Sequence, residues 1–223
     1  MQISSACAGV RTLTAEIGMS GRAGRQKLRG RVVAGFARPA SMRLEGVAPF
    51  GPPAFILVAR GMNATLLLPR DAPRVLRGAQ PQDILGALTG VALAPADLQA
   101  ILTGCVVPAP QATEARRHAN GWASIDLSGG ATLYLQPAGQ NMWSLRAAKR
   151  DGWQIEYPVW SGNFPQTVRL QSTQPNVNVD LTASLSQIET NKDLEDAAFN
   201  VNVPPDADPI TLDELRSAGP LGS

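Results

Sequence analysis

Few residues in this chain could do acid–base or metal chemistry, and their spacing does not favour it. There is one histidine, His118, in the polar stretch Thr113 to Asn120. No second His or Cys stands near it at ligand spacing, so no metal site is expected. A Ser–His–acid triad would have to use this same His118, and no G-x-S-x-G elbow is present to carry the nucleophile. Gly18, Gly21 and Gly24 recur every third residue but lack the strand–turn–helix setting of a phosphate or dinucleotide loop. The acids gather in Asp193-Leu194-Glu195-Asp196 and in the tail, where solvated surface is their plainest role. Carboxylates can still converge from anywhere in a chain. The expectation is a protein that is not an enzyme and has no cofactor.

The two cysteines bear on compartment rather than catalysis. Ser4-Ser5-Ala6-Cys7 has the small residues that precede an acylated cysteine in bacterial lipoprotein signals, without the usual Leu three positions before it. Cys7 is therefore a candidate lipidation site. The alternatives are an ordinary terminal cysteine or a long-range bridge to Cys105 in an oxidising compartment. If Cys7 were acylated, Cys105 would be a small buried hydrophobe. No basic region followed by an apolar stretch is read at the N-terminus, so no complete signal peptide is expected there. No run of ~18 apolar residues exists to form a spanning helix.

With 223 residues, 44% hydrophobic and 17% charged, the chain can bury a core without staples. A single unit over residues 1–217 is expected, with 218–223 as a tail. The net charge of +2 hides a strong asymmetry: residues 1–80 hold 12 Lys/Arg against 3 Asp/Glu, and the remainder 8 against 15. Such a basic half can meet anionic surfaces, or its arginines can be the wet face of alternating strands. It lacks the aromatic platform of a single-strand binder, so nucleic acid is not expected as a partner.

The elements follow from period and punctuation. Residues 11–17 and 27–36 read as strands joined by a Gly-rich basic turn, Gly18 to Gly24. Met42 to Val47 alternates and stops at Pro49-Phe50-Gly51-Pro52-Pro53. Ala54 to Arg60 and Asn63 to Leu68 form a hairpin that is apolar on both faces, as in strands covered on one side and facing a cavity or core on the other. Pro81 to Gly90 and Pro95 to Gly104 each open on Pro, carry an early acid and close on Gly, which predicts two short helices. Strands return as the hairpins 122–136 and 142–159, with Trp153, Ile155, Tyr157 and Val159 on one face. A last strand places Val177 to Leu185 on alternating sides. Thr211-Leu212-Asp213-Glu214 is a capping-box pattern for a final helix. The fold class is α+β, mostly β: a curved antiparallel sheet of roughly ten strands, a half-barrel covered on its concave face by a few short helices.

Three stretches together resemble a known family. Ala48-Pro49-Phe50-Gly51, then Leu88-Thr89-Gly90-Val91-Ala92-Leu93-Ala94-Pro95-Ala96-Asp97-Leu98 with Ile101-Leu102-Thr103-Gly104, is similar to LolB-like outer-membrane lipoprotein receptors. Phe199-Asn200-Val201-Asn202-Val203-Pro204-Pro205 before a capped helix is similar to the end of LolA-type carriers. The resemblance implies an apolar cavity for acyl chains. It also implies a protruding loop hydrophobe, Phe50, that helps transfer cargo to a membrane, unless Phe50 folds back on its own sheet. Leu44, Phe55, Leu57, Leu66, Leu68, Trp143 and Trp153 are the candidate cavity residues, with core packing as their other fate. The implied protein is a periplasmic lipid or lipoprotein carrier or receptor, a monomer, held at the outer membrane if Cys7 is acylated. Its partners would be a lipid or acylated lipoprotein and a membrane surface. The alternative is an envelope sensor or scaffold that binds another protein on the same fold.

Overall fold

A computed structural model describes residues 9–70, 72–105, 111–119, 121–139, 142–175 and 177–218. Six strands come first: β1 (Thr12–Ala23), β2 (Gln26–Ala37), β3 (Ser41–Val47), β4 (Ile56–Arg60), β5 (Asn63–Leu68) and β6 (Arg74–Arg77). Helices α1 (Pro81–Thr89) and α2 (Pro95–Leu102) follow. Then come β7 (Ala112–Arg117), β8 (Ala123–Leu127), β9 (Thr132–Gly139), β10 (Met142–Arg150), β11 (Trp153–Ser161), β12 (Phe164–Ser172) and β13 (Val179–Thr190). A short 3₁₀ turn (Asp196–Phe199), the two-residue β14 (Asp208–Pro209) and α3 (Leu212–Ala218) end the described chain.

All fourteen strands belong to one curved sheet in the order β14-β6-β5-β4-β3-β2-β1-β13-β12-β11-β10-β9-β8-β7. Pairing is antiparallel except for the parallel β14–β6 contact, and the sheet stays open, with β14 and β7 at its edges. The two halves of the chain meet where β1 pairs β13, from Leu13↔Thr190 to Ala23↔Val179. Alternation decides the faces. Leu13, Ala15 and Ile17 of β1, Val32, Ala34 and Phe36 of β2, and Met42 and Leu44 of β3 are all buried, with wetter residues between them. Those residues point to the inner face, which the two central helices cover. α2 packs toward β3 and β12, while α1 packs toward β5 and α3.

Both helices start on Pro at the first turn, with Asp83 and Asp97 following, and α1 ends on Gly90 in the left-handed region at φ 77°. At α3 the Thr211 Oγ1 accepts from the Glu214 N–H while the Glu214 carboxylate accepts from the Thr211 N–H, a complete capping box. On the outer face the C-terminal strap is held to the sheet. Arg43 donates to the carbonyls of Ala198 and Asn200, Arg60 donates to that of Asp196, and Phe199 is buried.

Several elements differ from the sequence reading. Gly18 to Gly24 is strand, not turn: β1 runs to Ala23, and only Gly24 and Arg25 turn the chain. The run of glycines serves a close approach, since a Cβ on Gly21 (φ +144°) would stand 2.1 Å from the Asp180 carbonyl oxygen on β13. The polar stretch around His118 begins as β7, every residue of which is exposed. Val159 leaves the face of Trp153, Ile155 and Tyr157 and is 45% exposed, because a bulge shifts the β11–β12 register between Glu156 and Val159. Gly21→Ala is expected to destabilise the fold by roughly 1–3 kcal/mol, the usual cost of a residue forced into such backbone. Denaturant unfolding measures this, with Gly30→Ala, where no atom lies within 4 Å of the added Cβ, as the comparison.

Candidate functional site

The inner face is not completely filled. A cavity of about 110 Å3 lies between the sheet and the two central helices. β1, β2 and β3 give it Ile17, Val32 and Leu44, and β12 and β13 give it Leu170 and Leu181. Leu88 of α1 and Ile101 and Leu102 of α2 cover it, and Val91 and Leu93 of the link between them also line it. Strand alternation aims every second side chain inward, and the apolar stripe of each short helix faces down onto them. Thr89 and Thr182 are the hydroxyl residues of the lining, and the Thr89 Oγ1 donates to the Leu85 carbonyl at 2.8 Å.

Of the candidate residues, Leu44 and Phe55 line the cavity. Phe55 can lie there because Gly46 has no Cβ, which would meet its ring at 2.5 Å. Leu57 and Leu66 are fully buried in the core to one side, and Trp153 is buried in it under β11. Leu68 is half-buried against the core. Trp143 is half-buried too, with the Arg117 guanidinium 5.9 Å above its ring. Phe50 is 89% exposed at the tip of the β3–β4 loop, and the Arg70 Nη2 donates to its carbonyl at 2.9 Å. Cys7 lies outside the described residues. The reading by sequence missed the walls supplied by α1, α2 and β13. The signal was present in the apolar positions of Ile84 to Leu88 and in the strict alternation of Leu181, Ala183 and Leu185, but nothing in it shows which strands meet.

The polar chemistry lies elsewhere. His118 Nε2 sits 3.0 Å from Ser124 Oγ, beside β8. Among the described residues no group of three or more His, Cys, Asp or Glu is placed to hold a metal ion. On the outer face Arg169 binds Asp180 through two bonds, at 2.9 and 2.7 Å, and this hydrogen-bonded pairing holds the carboxyl below its usual range. In the inner core, burial pushes the Tyr157 phenol well above its ordinary range, and its ring packs 5.7 Å from that of Trp160. The first turn of α2 is tied to the sheet by Arg150 Nη2 donating to Asp97 Oδ1 at 3.0 Å. At its other end, Cys105 is disulfide-bonded.

No family model and no curated protein matches the sequence. Solved structures do match the fold. A LolA superfamily protein from Nitrosomonas europaea aligns with a TM-score of 0.57 at 12% identity, covering 86% of this chain and 91% of that one. A DUF1329 family protein from Desulfovibrio piger aligns at 0.55 and 11%, covering 86% and 90%. A domain assigned to outer membrane lipoprotein sorting, from Vibrio parahaemolyticus, aligns at 0.50 and 10%, covering 85% and 89%. Such identities speak to the fold alone: these solved structures and this chain share it.

Proposed function

We propose that this protein is a non-catalytic cell-envelope carrier or receptor, working as one unit over residues 1–217 and as a monomer. It holds an acyl chain of a lipid or of a lipid-modified protein between its sheet and its helices. The observation that carries this reading is the apolar cavity under α1 and α2. The fold shared with a domain assigned to lipoprotein sorting supports it. Phe50, exposed on a loop tip, is the residue suited to enter a membrane during transfer. A disulfide at Cys105 supports an oxidising compartment such as the periplasm. Cys7 is the chain's one other cysteine, so a bridge within the chain and an acyl anchor on Cys7 exclude each other, and the bridged form is the reading favoured here.

A second reading is favoured by one observation. The cavity, at about 110 Å3, is smaller than the ~300–1,000 Å3 of ordinary ligand sites. A sensor or scaffold that binds another protein needs no more. A carrier must open by lifting α2, and the half-exposed Arg150–Asp97 pair would hold it with only ~0.2–1 kcal/mol.

Native mass spectrometry after titration with phospholipid and acylated peptide separates the two readings. A one-to-one adduct is expected, and it should vanish in Ala183→Phe, which fills the cavity from β13 at a tolerable overpacking cost of about 1–3 kcal/mol. A clean apo mass for the wild type would transfer the assignment to the scaffold. Asp97→Asn should raise amide exchange in α2 about two- to fivefold and speed lipid uptake, with the rest of the sheet unchanged. The oxidised protein should show no thiol reactive to maleimide and no acyl mass. Reduction should expose two thiols and lower stability by roughly 2–4 kcal/mol.

A further inference from the structure

One charged feature is not used by the cavity. The β1–β2 hairpin carries Arg22, Arg25, Lys27, Arg29 and Arg31, with no acid between Gly18 and Arg31. β2 pairs β3 only from Arg31↔Val47 onward, so its first five residues run on past the end of β3, about 16 Å of strand. All five basic residues are exposed. Arg22 and Lys27 stand directly opposite each other in the register, a like-charge pair that weakens a hairpin in isolation.

The neighbouring acids are already engaged. Glu16 accepts from Arg31 at 3.0 Å, and Asp180, opposite Arg22 on β13, is bound by Arg169 and Gln171. Among the described residues, Arg22, Arg25, Lys27 and Arg29 form no ion pair. Arg22, Lys27 and Arg29, with the bonded pair Arg169–Asp180, line an outer cleft of about 650 Å3.

The register places this arm on the same rim of the sheet as Phe50, because the β1–β2 turn and the β3–β4 loop both leave that end of their strands. The link that walls the cavity reaches the same rim, where Gly90 rests against Ala23 and Val179. We propose that the β1–β2 arm and Phe50 form one docking surface for an anionic lipid bilayer, the arm binding headgroup phosphates and Phe50 entering the interface. Charge complementarity selects this occupant: uncompensated cations beside a solvent-exposed aromatic match an anionic headgroup layer over hydrocarbon. The inference deepens the carrier reading and rests on it for its purpose, since it brings the link that lines the cavity to the lipid.

The test is flotation of the full chain with vesicles of phosphatidylcholine alone and of phosphatidylcholine mixed with phosphatidylglycerol. Binding is expected only to the anionic vesicles, and it should fall as salt rises. The triple variant R22Q/K27Q/R29Q should partition about a hundredfold more weakly, and F50S should bind less without losing the preference for anionic lipid. Lys192→Gln, beyond the end of β13 at the opposite rim, should bind as the wild type does. Equal binding to both vesicle types, or a triple variant that binds like the wild type, would overturn the proposal. So would retention on a heparin column with no flotation, which would give the arm to an acidic macromolecule. Circular dichroism and lipid uptake in the mass spectrometer check that the triple variant is folded, and they read the cavity separately from docking.

Discussion

A sheet that curls around its apolar face without closing leaves that face in need of a cover, and here the cover is two helices of nine and eight residues. The inner face draws side chains from most of the strands, while each helix offers one narrow stripe. The mismatch between a wide curved floor and a short cover is what leaves space under α1 and α2. A closed barrel would fill its interior with its own side chains. Longer helices would seal the floor. The cavity and the exposed rim both follow from this geometry.

The same geometry sets what could lift that cover in the carrier proposed above. Lifting α2 exposes Ile101 and Leu102, both buried against the sheet, at a cost of roughly 3–6 kcal/mol. The Arg150–Asp97 pair adds little to that. Each methylene taken out of water returns about 0.8 kcal/mol, so about four to eight methylenes must enter before opening is offset. A short apolar solute that fits the closed volume gains too little to move α2. In the carrier proposed above, a long acyl chain would gain enough, and its length would then be the quantity the site selects. In that proposal the hydrophobic term, rather than any polar contact, decides between closed and loaded forms.

Much of the fold was legible because local chemistry and global position agree. Pro81, Asp83 and Gly90 mark α1 by backbone geometry alone, and Thr211 with Glu214 marks the start of α3. Leu181 and Leu185 alternate with polar residues because their strand has one wet face. β7 was not legible, since a strand exposed on both faces at a sheet edge leaves no alternation in Ala112–Arg117. The glycines of β1 looked like a turn, although Gly21 is there for the approach of β13, more than 150 residues away in sequence. The cavity walls failed for a related reason. Leu44 stands in an alternating run and Phe55 in a hairpin apolar on both faces, but Ile17, Leu170 and Leu181 converge only through the β1–β13 junction. Trp153 is buried and Trp143 half-buried against the core.

That junction also reorganises the charge. In sequence the first 80 residues are strongly basic and the rest acidic, and the fold brings part of the acidic half back across the basic one. The strap from the acidic end lies over β3 and β4, where Arg43 and Arg60 bind its carbonyls. Arg169 of the second half occupies Asp180, the acid that faces Arg22. Neutralisation therefore runs along the middle of the outer face and stops short of the β1–β2 arm. The arm remains positive because the acid beside it is already bound, and because it runs on past the end of β3, where the strap crosses. A charge left uncompensated in this way costs the folded chain some stability through the Arg22–Lys27 opposition, and a polyanionic surface brought against the arm would relieve it.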